Sequence, residues 1–146
     1  MKQQTDEISF DELRARIGER PQVAIVCGAS KESHSALIAA TLPGLWRDIG
    51  WVHLVHGAAR NVDTEAGEIW DAMPGREDAG CPPAKKEPAD WKRHGRGAGP
   101  IRNRAMLKTW SPDIVIAYPG GNGTADMCDI AIKAGVPVIQ VQRDAT

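Results

Sequence analysis

Tyr118-Pro119-Gly120-Gly121-Asn122-Gly123-Thr124-Ala125-Asp126 decides how the chain is read, because a strand end, a glycine loop and a helix start follow one another within it. On its N-terminal side, Asp113 leads into the apolar run Ile114-Val115-Ile116-Ala117 between Pro112 and Pro119, which suits a strand buried on both faces. On the other side, Met127, Ile130, Ala131 and Ala134 recur at helical spacing, with Gly135 placed as a C-terminal stop. The glycines between let the backbone turn tightly and aim several N–H groups at one point, beside the positive end of a helix dipole. An anion such as phosphate fits there, which makes Gly120, Gly121, Asn122, Gly123 and Thr124 candidate ligand residues. Glycines after a strand also serve plain turns, so this loop alone does not decide the function.

Working outward, Pro100 suits a helix start, and Ile101–Trp110 follows with Arg102, Asn103 and Arg104 in its first turn. A cation there is disfavoured by about 0.3–1 kcal/mol unless an anion offsets it, which singles out Arg102 with Asn103; Arg104 reads as surface. From residue 74 to 99 the glycines and prolines exclude any long regular element, leaving a long loop with at most a short edge strand around Pro83–Pro88. Asp90 has no helix to cap on this reading, so a ligand or loop contact is its expected use. Trp91 either stacks on a base or, more commonly for such a residue, anchors the loop in the core. Earlier, Trp51–Val55 is a strand, His56–Asp63 a loop, and Val62, Ala66, Ile69, Trp70 and Met73 one helical face. Val23–Cys27 is another apolar strand, broken by Gly28-Ala29-Ser30 before a helix through Ala36, Leu37 and Ala40 that Pro43 closes. Ser9 with Glu12 makes a capping box for a helix over Ser9–Ile17, and Val136–Val141 supplies a last strand.

Alternating strands and helices in 146 residues predict one α/β domain, 1–146, with a helix inside 1–20: a Rossmann-like three-layer fold on a mostly parallel sheet of about five strands. Such a sheet puts every strand-to-helix loop on its carboxyl edge. Gly28, Ala29 and Ser30, then His56, Gly57, Arg60 and Asp63, then Pro119–Asp126 converge there with Arg102, and a phosphate-bearing ligand is the reading that convergence supports. Plainer uses stand beside it: Ser30, Asn61 and Asp63 as helix caps, His56 as a turn histidine, Asp126 as a carboxylate favoured by the dipole in a first helical turn. There is no Walker sequence and no complete GxGxxG. Three cysteines without a CxxC, and four histidines without ligand spacing, indicate neither disulfide framework nor metal, and no cofactor is called for. Eighteen basic against nineteen acidic residues give no global attraction for nucleic acid, and Lys85–Arg104 reads as a solvated basic loop. No apolar run is long enough for a membrane span, and the polar start Lys2–Glu7 carries no signal peptide, so a cytoplasmic protein is expected.

Four ordered strings, His56-Gly57-Ala58-Ala59-Arg60 with Asp63, Pro88-Ala89-Asp90-Trp91, Ala98-Gly99-Pro100-Ile101-Arg102-Asn103 and Pro119–Asp126, together resemble the YspA/YAcAr (cpYpsA-related) branch of the SLOG superfamily. That superfamily also holds the DNA-processing protein A family and the Lonely Guy (LOG) phosphoribohydrolases. The resemblance spans roughly residues 22 to 142 and implies a Rossmann-like fold with a site for a nucleotide or nucleotide-derived ligand: a nucleoside monophosphate, ADP-ribose or an NAD-related molecule. LOG enzymes cleave the N-glycosidic bond of nucleoside 5′-monophosphates with an arginine and Pro-Gly-Gly-x-Gly-Thr-x-x-Glu. Arg102 matches the arginine, but the glutamate position falls on Met127. Positive charge develops on the ribose during that cleavage, and a carboxylate stabilises it. Asp126 is adjacent, though turned by about 100 degrees on a helix; Arg102 and Asp126 are thus the candidate catalytic pair, with Asp63 or Asp90 as substitutes. The alternative is a non-catalytic nucleotide sensor or sequestering module, which Met127 favours. Single-stranded DNA binding comes third, opposed by the net charge. The apolar face of the N-terminal helix suits either the core or a homodimer or higher homo-oligomer.

Overall fold

Strands Val23–Cys27 (β1) and Ile114–Ala117 (β4) are buried at every residue, as parallel strands covered on both faces must be. They form the centre of the sheet in a computed structural model that describes residues 22–142. The helix expected over Ser9–Ile17 lies outside the described residues. His53–His56 (β2), Lys85–Lys86 (β3) and Val138–Gln140 (β5) complete a five-stranded sheet of order β3-β2-β1-β4-β5 with every neighbouring pair parallel. Ala24 lies opposite Leu54 on one side and Ile114 on the other, which sets the register. The fold is the Rossmann-like α/β domain expected.

Alternation along β1 sends its side chains to two different cores. Ala24 and Val26 join Leu54, Ile114 and Ile116 against Ser35–Ile49 (α1) and Val62–Asp71 (α2), through Ile38, Leu42, Val62, Ala66 and Trp70. Val23, Ile25 and Cys27 join Val55, Val115 and Val138 on the opposite face, covered by Ala98–Trp110 (α4) and Asn122–Lys133 (α5) through Met106, Met127 and Ala131. Each large aliphatic side chain so buried contributes about 1.5–3 kcal/mol. Trp70 packs on Trp51 and Trp46 at ring separations of 5.9 and 5.3 Å, and its Nε1 donates to the Pro82 carbonyl at 3.0 Å. With Arg76 Nη1 donating to the Cys81 carbonyl at 2.6 Å, that bond anchors the long loop.

Several boundaries differ from the sequence reading. Pro43 does not close α1, which runs six residues further to Ile49 and ends at Gly50 with φ +83°. Burial of Leu42 and Ile49 on the helix face outweighs the lost N–H. Trp51 belongs to the core just before β2 rather than to the strand. Residues 74–99 are not all loop: Trp91–His94 (α3) is a single helical turn, followed by a 3₁₀ turn at Gly95–Gly97 that runs directly into α4. Asp90 therefore does cap a helix, accepting from Arg93 N at 3.1 Å, and Trp91 is not a core anchor, being 60% exposed. Because α4 starts at Ala98, Arg102 is its fifth residue, past the first turn, and Pro100 is its third, where a missing N–H is harmless. Asp126 likewise sits in the second turn of α5. Gly135, at φ +82°, follows α5 as expected. Among the described residues, no helix is long and apolar enough to cross a membrane.

Candidate functional site

The strand order reverses between β1 and β4, so the loops leaving these two strands part to either side of a crevice at their carboxyl ends, where open α/β sheets bind ligands. Ala29 N donates to the Pro119 carbonyl at 2.9 Å and fastens the two loops together at its base. Gly120 is required here, since a Cβ would stand 2.8 Å from Thr124 Cβ and 2.9 Å from the backbone nitrogen of Ala29. At Gly121 and Gly123, by contrast, a Cβ would meet nothing within 4 Å, so the loop is open toward solvent. The first backbone bond into α5 is Ala125 N to the Gly121 carbonyl at 3.0 Å, and no side chain caps the helix. The N–H groups of Asn122, Gly123 and Thr124 consequently have no acceptor among the described residues, in the place where a helix dipole favours an anion.

The loop after β2 is held from below by two buried polar side chains. Asp63 Oδ2 accepts from both Gly57 N and Ala59 N at 3.1 Å, while His56 Nδ1 accepts from Ala58 N at 3.0 Å. Ala58 and Asn61 take positive φ, +62° and +63°. Asn61 occupies the cap position of α2 without capping it; its Nδ2 donates instead to the Ser30 carbonyl at 2.7 Å, and Val62 N donates to the Ala29 carbonyl at 3.1 Å. The first two loops are thus one unit. Ser30 itself caps nothing, because α1 begins five residues later, and its side chain is exposed on the rim.

Arg102 reaches from α4 across the end of β2. Its Nη1 donates to the Gly57 carbonyl at 2.5 Å and the Glu87 carbonyl at 3.3 Å, and its Nε to Asn103 Oδ1 at 3.0 Å. Nη2 makes no hydrogen bond among the described residues. Asn103 passes the connection on: its Nδ2 donates to Asp126 Oδ2 at 3.0 Å and the Gly123 carbonyl at 3.3 Å. Burial pushes the Asp63 carboxyl up to about 6, against the opposing pull of the Ala59 amide, Arg102 and the Gly57 amide. Burial, with the charge of Lys86, lowers His56 to about 4, so its imidazole is neutral at pH 7. With Nδ1 accepting, the ring proton lies on Nε2, which is buried against Gly67 without a partner.

Over 88 residues the chain is 38% identical to the Gene 61 protein of Mycobacterium phage D29, an alignment covering 59% of this chain and 68% of that protein. The chain belongs to the Gene 61 protein family. No family model matches it, nor does any solved structure.

In this member of the Gene 61 family, the structure brings together most of the residues expected from sequence. Ser30 meets Asn61, and Gly28 and Ala29 meet the adjoining Val62; Gly57 and Asp63 meet Arg102; Asn103 meets Gly123 and Asp126; Asn122 and Thr124 open α5. Gly28 fits because a Cβ would strike the Val62 side chain at 2.5 Å. Three expected contributors stand apart. His56 supports the loop from beneath instead of facing the rim, Arg60 is exposed and makes no hydrogen bond or ion pair among the described residues, and the Asp90 carboxylate is occupied in capping α3. Asp126 is bonded to Asn103, and Met127, at the LOG glutamate position, is buried in the core at 1% exposure. A groove of about 650 Å³ adjoins the Gly120–Gly121 loop on its far side, over the ends of β4 and β5, and adds Tyr118, Cys128, Gln140 and Gln142. Sequence reading missed that wall; only the placement of β5 beside β4 reveals it, and no motif marks Gln140 or Cys128.

Proposed function

We propose that this chain binds a nucleotide or nucleotide-derived ligand, such as a nucleoside monophosphate, ADP-ribose or an NAD-related molecule, on the carboxyl rim of its sheet. The observation that carries this reading is the set of unengaged donors at the switch point: the Asn122, Gly123 and Thr124 amides at the start of α5. Arg102 supplies a fixed positive charge from the β2 side with Nη2 free for a phosphate or ribose oxygen. The YspA/YAcAr-like motif set agrees with the same reading, and a cytoplasmic location is part of the proposal. Of the carboxylates, Asp126 is held by Asn103 and Asp90 by α3, and Met127 lies in the core, which favours a sensor or sequestering module over an enzyme.

One observation favours a second reading, hydrolysis of the N-glycosidic bond. Asp63 Oδ1 accepts no hydrogen bond among the described residues, and its carboxyl, raised to about 6 by burial, sits beside Arg102 in the range of an acid–base group. The test is a panel of nucleotides followed by melting temperature, with each mixture assayed for released base. A ligand at 100 times its Kd stabilises the fold by about 2.7 kcal/mol. Stabilisation without release supports the sensor, and release abolished by Asp63→Asn supports the hydrolase. If no phosphate-bearing ligand stabilises the chain while single-stranded DNA binds in a salt-sensitive manner, both readings are wrong.

A further inference from the structure

The five tryptophans of the chain divide sharply by environment. Trp51 and Trp70 are fully buried, and the half-buried Trp46 and Trp110 donate their Nε1 protons to the Trp51 carbonyl at 3.0 Å and to Glu87 Oε2 at 2.8 Å. Trp91 alone is exposed, at 60%, and its indole nitrogen makes no hydrogen bond among the described residues. Yet its backbone is well fixed. Asp90 closes the α3 turn through Arg93 N at 3.1 Å and through its own carbonyl to His94 N at 3.0 Å. The ring leans on α4, where a Cβ at Gly99 would stand 3.6 Å from Trp91 Cη2, so the absence of a side chain there leaves room beside the ring. Gly99 is three residues, about one helical turn, before Arg102 on the same helix. Glu87, four residues before Trp91, accepts from Arg102 Nη1 through its carbonyl. An exposed aromatic ring and a guanidinium with a free edge are therefore carried on one strap, 87–102, beside the rim.

Cations outnumber acids in the segment around the ring. Lys92, Arg93 and Arg96 are exposed, and no ion pair engages them among the described residues, while the one nearby acid on α3, Asp90, is its cap. Glu87 is occupied by Trp110. A flat apolar surface in a positive field fits an aromatic ring attached to a phosphate.

We propose that Trp91 is the stacking platform for the base of the nucleotide ligand, with the ribose phosphate directed toward Arg102. The inference rests on the nucleotide-binding reading above and adds which part of the ligand is recognised, and where. A single open face discriminates by stacking strength, not by hydrogen bonding, so affinity follows the order purine, pyrimidine, no base.

The full chain and its Trp91→Ala and Trp91→Phe variants are titrated by calorimetry with adenosine monophosphate, cytidine monophosphate and ribose 5-phosphate. Trp91→Ala is expected to weaken adenosine monophosphate about 5- to 150-fold, to leave ribose 5-phosphate unchanged, and to melt with the unchanged protein, while Trp91→Phe restores most of the loss. Quenching of the exposed fluorescence by adenosine monophosphate but not by ribose 5-phosphate gives a second readout. If Trp91→Ala binds both ligands as the original chain does, the platform is wrong while the nucleotide reading stands. If the original chain binds none of the three, both fall. A dimer that Trp91→Ala converts to monomer, with nucleotide affinity intact, assigns the ring to self-association and overturns the proposal.

Discussion

Asp63 and His56 support the same loop and titrate in opposite senses. Asp63 has its folded value raised to about 6 from an ordinary 3.8, so the native state holds the proton more tightly, and this group's contribution to stability is lost as pH rises through that interval. His56 is lowered from 6.5 to about 4, so its contribution is present above 6.5 and is lost as pH falls. The two largely cancel between pH 4 and 6.5. Replacing Asp63 by Asn keeps an acceptor for Gly57 N and Ala59 N and removes the charge that burial penalises. Asp63→Asn is expected to be more stable than the original chain at pH 7.5, by on the order of 2–3 kcal/mol, with most of that gain gone at pH 4. Urea denaturation at the two pH values measures it, and a pH-independent difference would show that Asp63 does not titrate as described. A buried carboxylate kept at such a cost is expected where it serves the site. Cys27 and Cys128 give a second residue-scale test. Their mutual hydrogen bond, together with burial, holds the Cys27 thiol well above its ordinary value, whereas Cys128 is half-buried and faces the groove. Iodoacetamide at pH 8 should alkylate native Cys128 well before Cys27 and Cys81, as peptide mass mapping would show; equal rates would mean that the groove is closed over Cys128.

At the scale of elements, the strands were legible where apolar runs were continuous, because burial on both faces leaves no room for polar residues: Val23–Cys27 and Ile114–Ala117 were readable nearly to the residue. The helices were less so, because tertiary packing overrode local signals. Pro43 reads as a stop, yet α1 continues, since Ile38, Leu42 and Ile49 all bury against the sheet. A proline inside a helix costs about 3 kcal/mol, less than several buried aliphatic side chains contribute together. Pro43→Ala should therefore stabilise the chain by about 1–3 kcal/mol, part of the gain being offset by greater freedom of the unfolded chain. A higher urea midpoint at unchanged slope is the expected result, and an unchanged midpoint would mean that α1 is already adapted to the ring. The single turn Trp91–His94 was hidden for a different reason. Four residues flanked by Gly95 and Pro88 carry no helical period, so neither the helix nor the capping role of Asp90 could be seen.

At the scale of the whole molecule, the convergence of three glycine loops followed from the parallel sheet alone, and the structure places them along one edge. What the sequence could not supply was strand order. Only the order β3-β2-β1-β4-β5 places the Gly120–Gly121 loop between two recesses, the switch-point crevice on the β1 side and the groove over β4 and β5 on the other. Either could receive the body of a ligand whose phosphate lies on the start of α5, and the two differ in what they would protect. A ligand in the crevice contacts loops tied together by Ala29 N to the Pro119 carbonyl and by Asn61 to the Ser30 carbonyl. Hydrogen exchange with saturating adenosine monophosphate should then slow together at 28–30, 57–61 and 120–124, segments far apart in sequence, while Gln140 and Val141 remain unchanged. Arg102→Ala should remove that pattern, because its guanidinium carries the positive charge across the end of β2. Protection confined to 120–124 and 140–142 would move the ligand into the β4–β5 groove, whose lining includes neither Arg102 nor Trp91, and would contradict the arrangement proposed here.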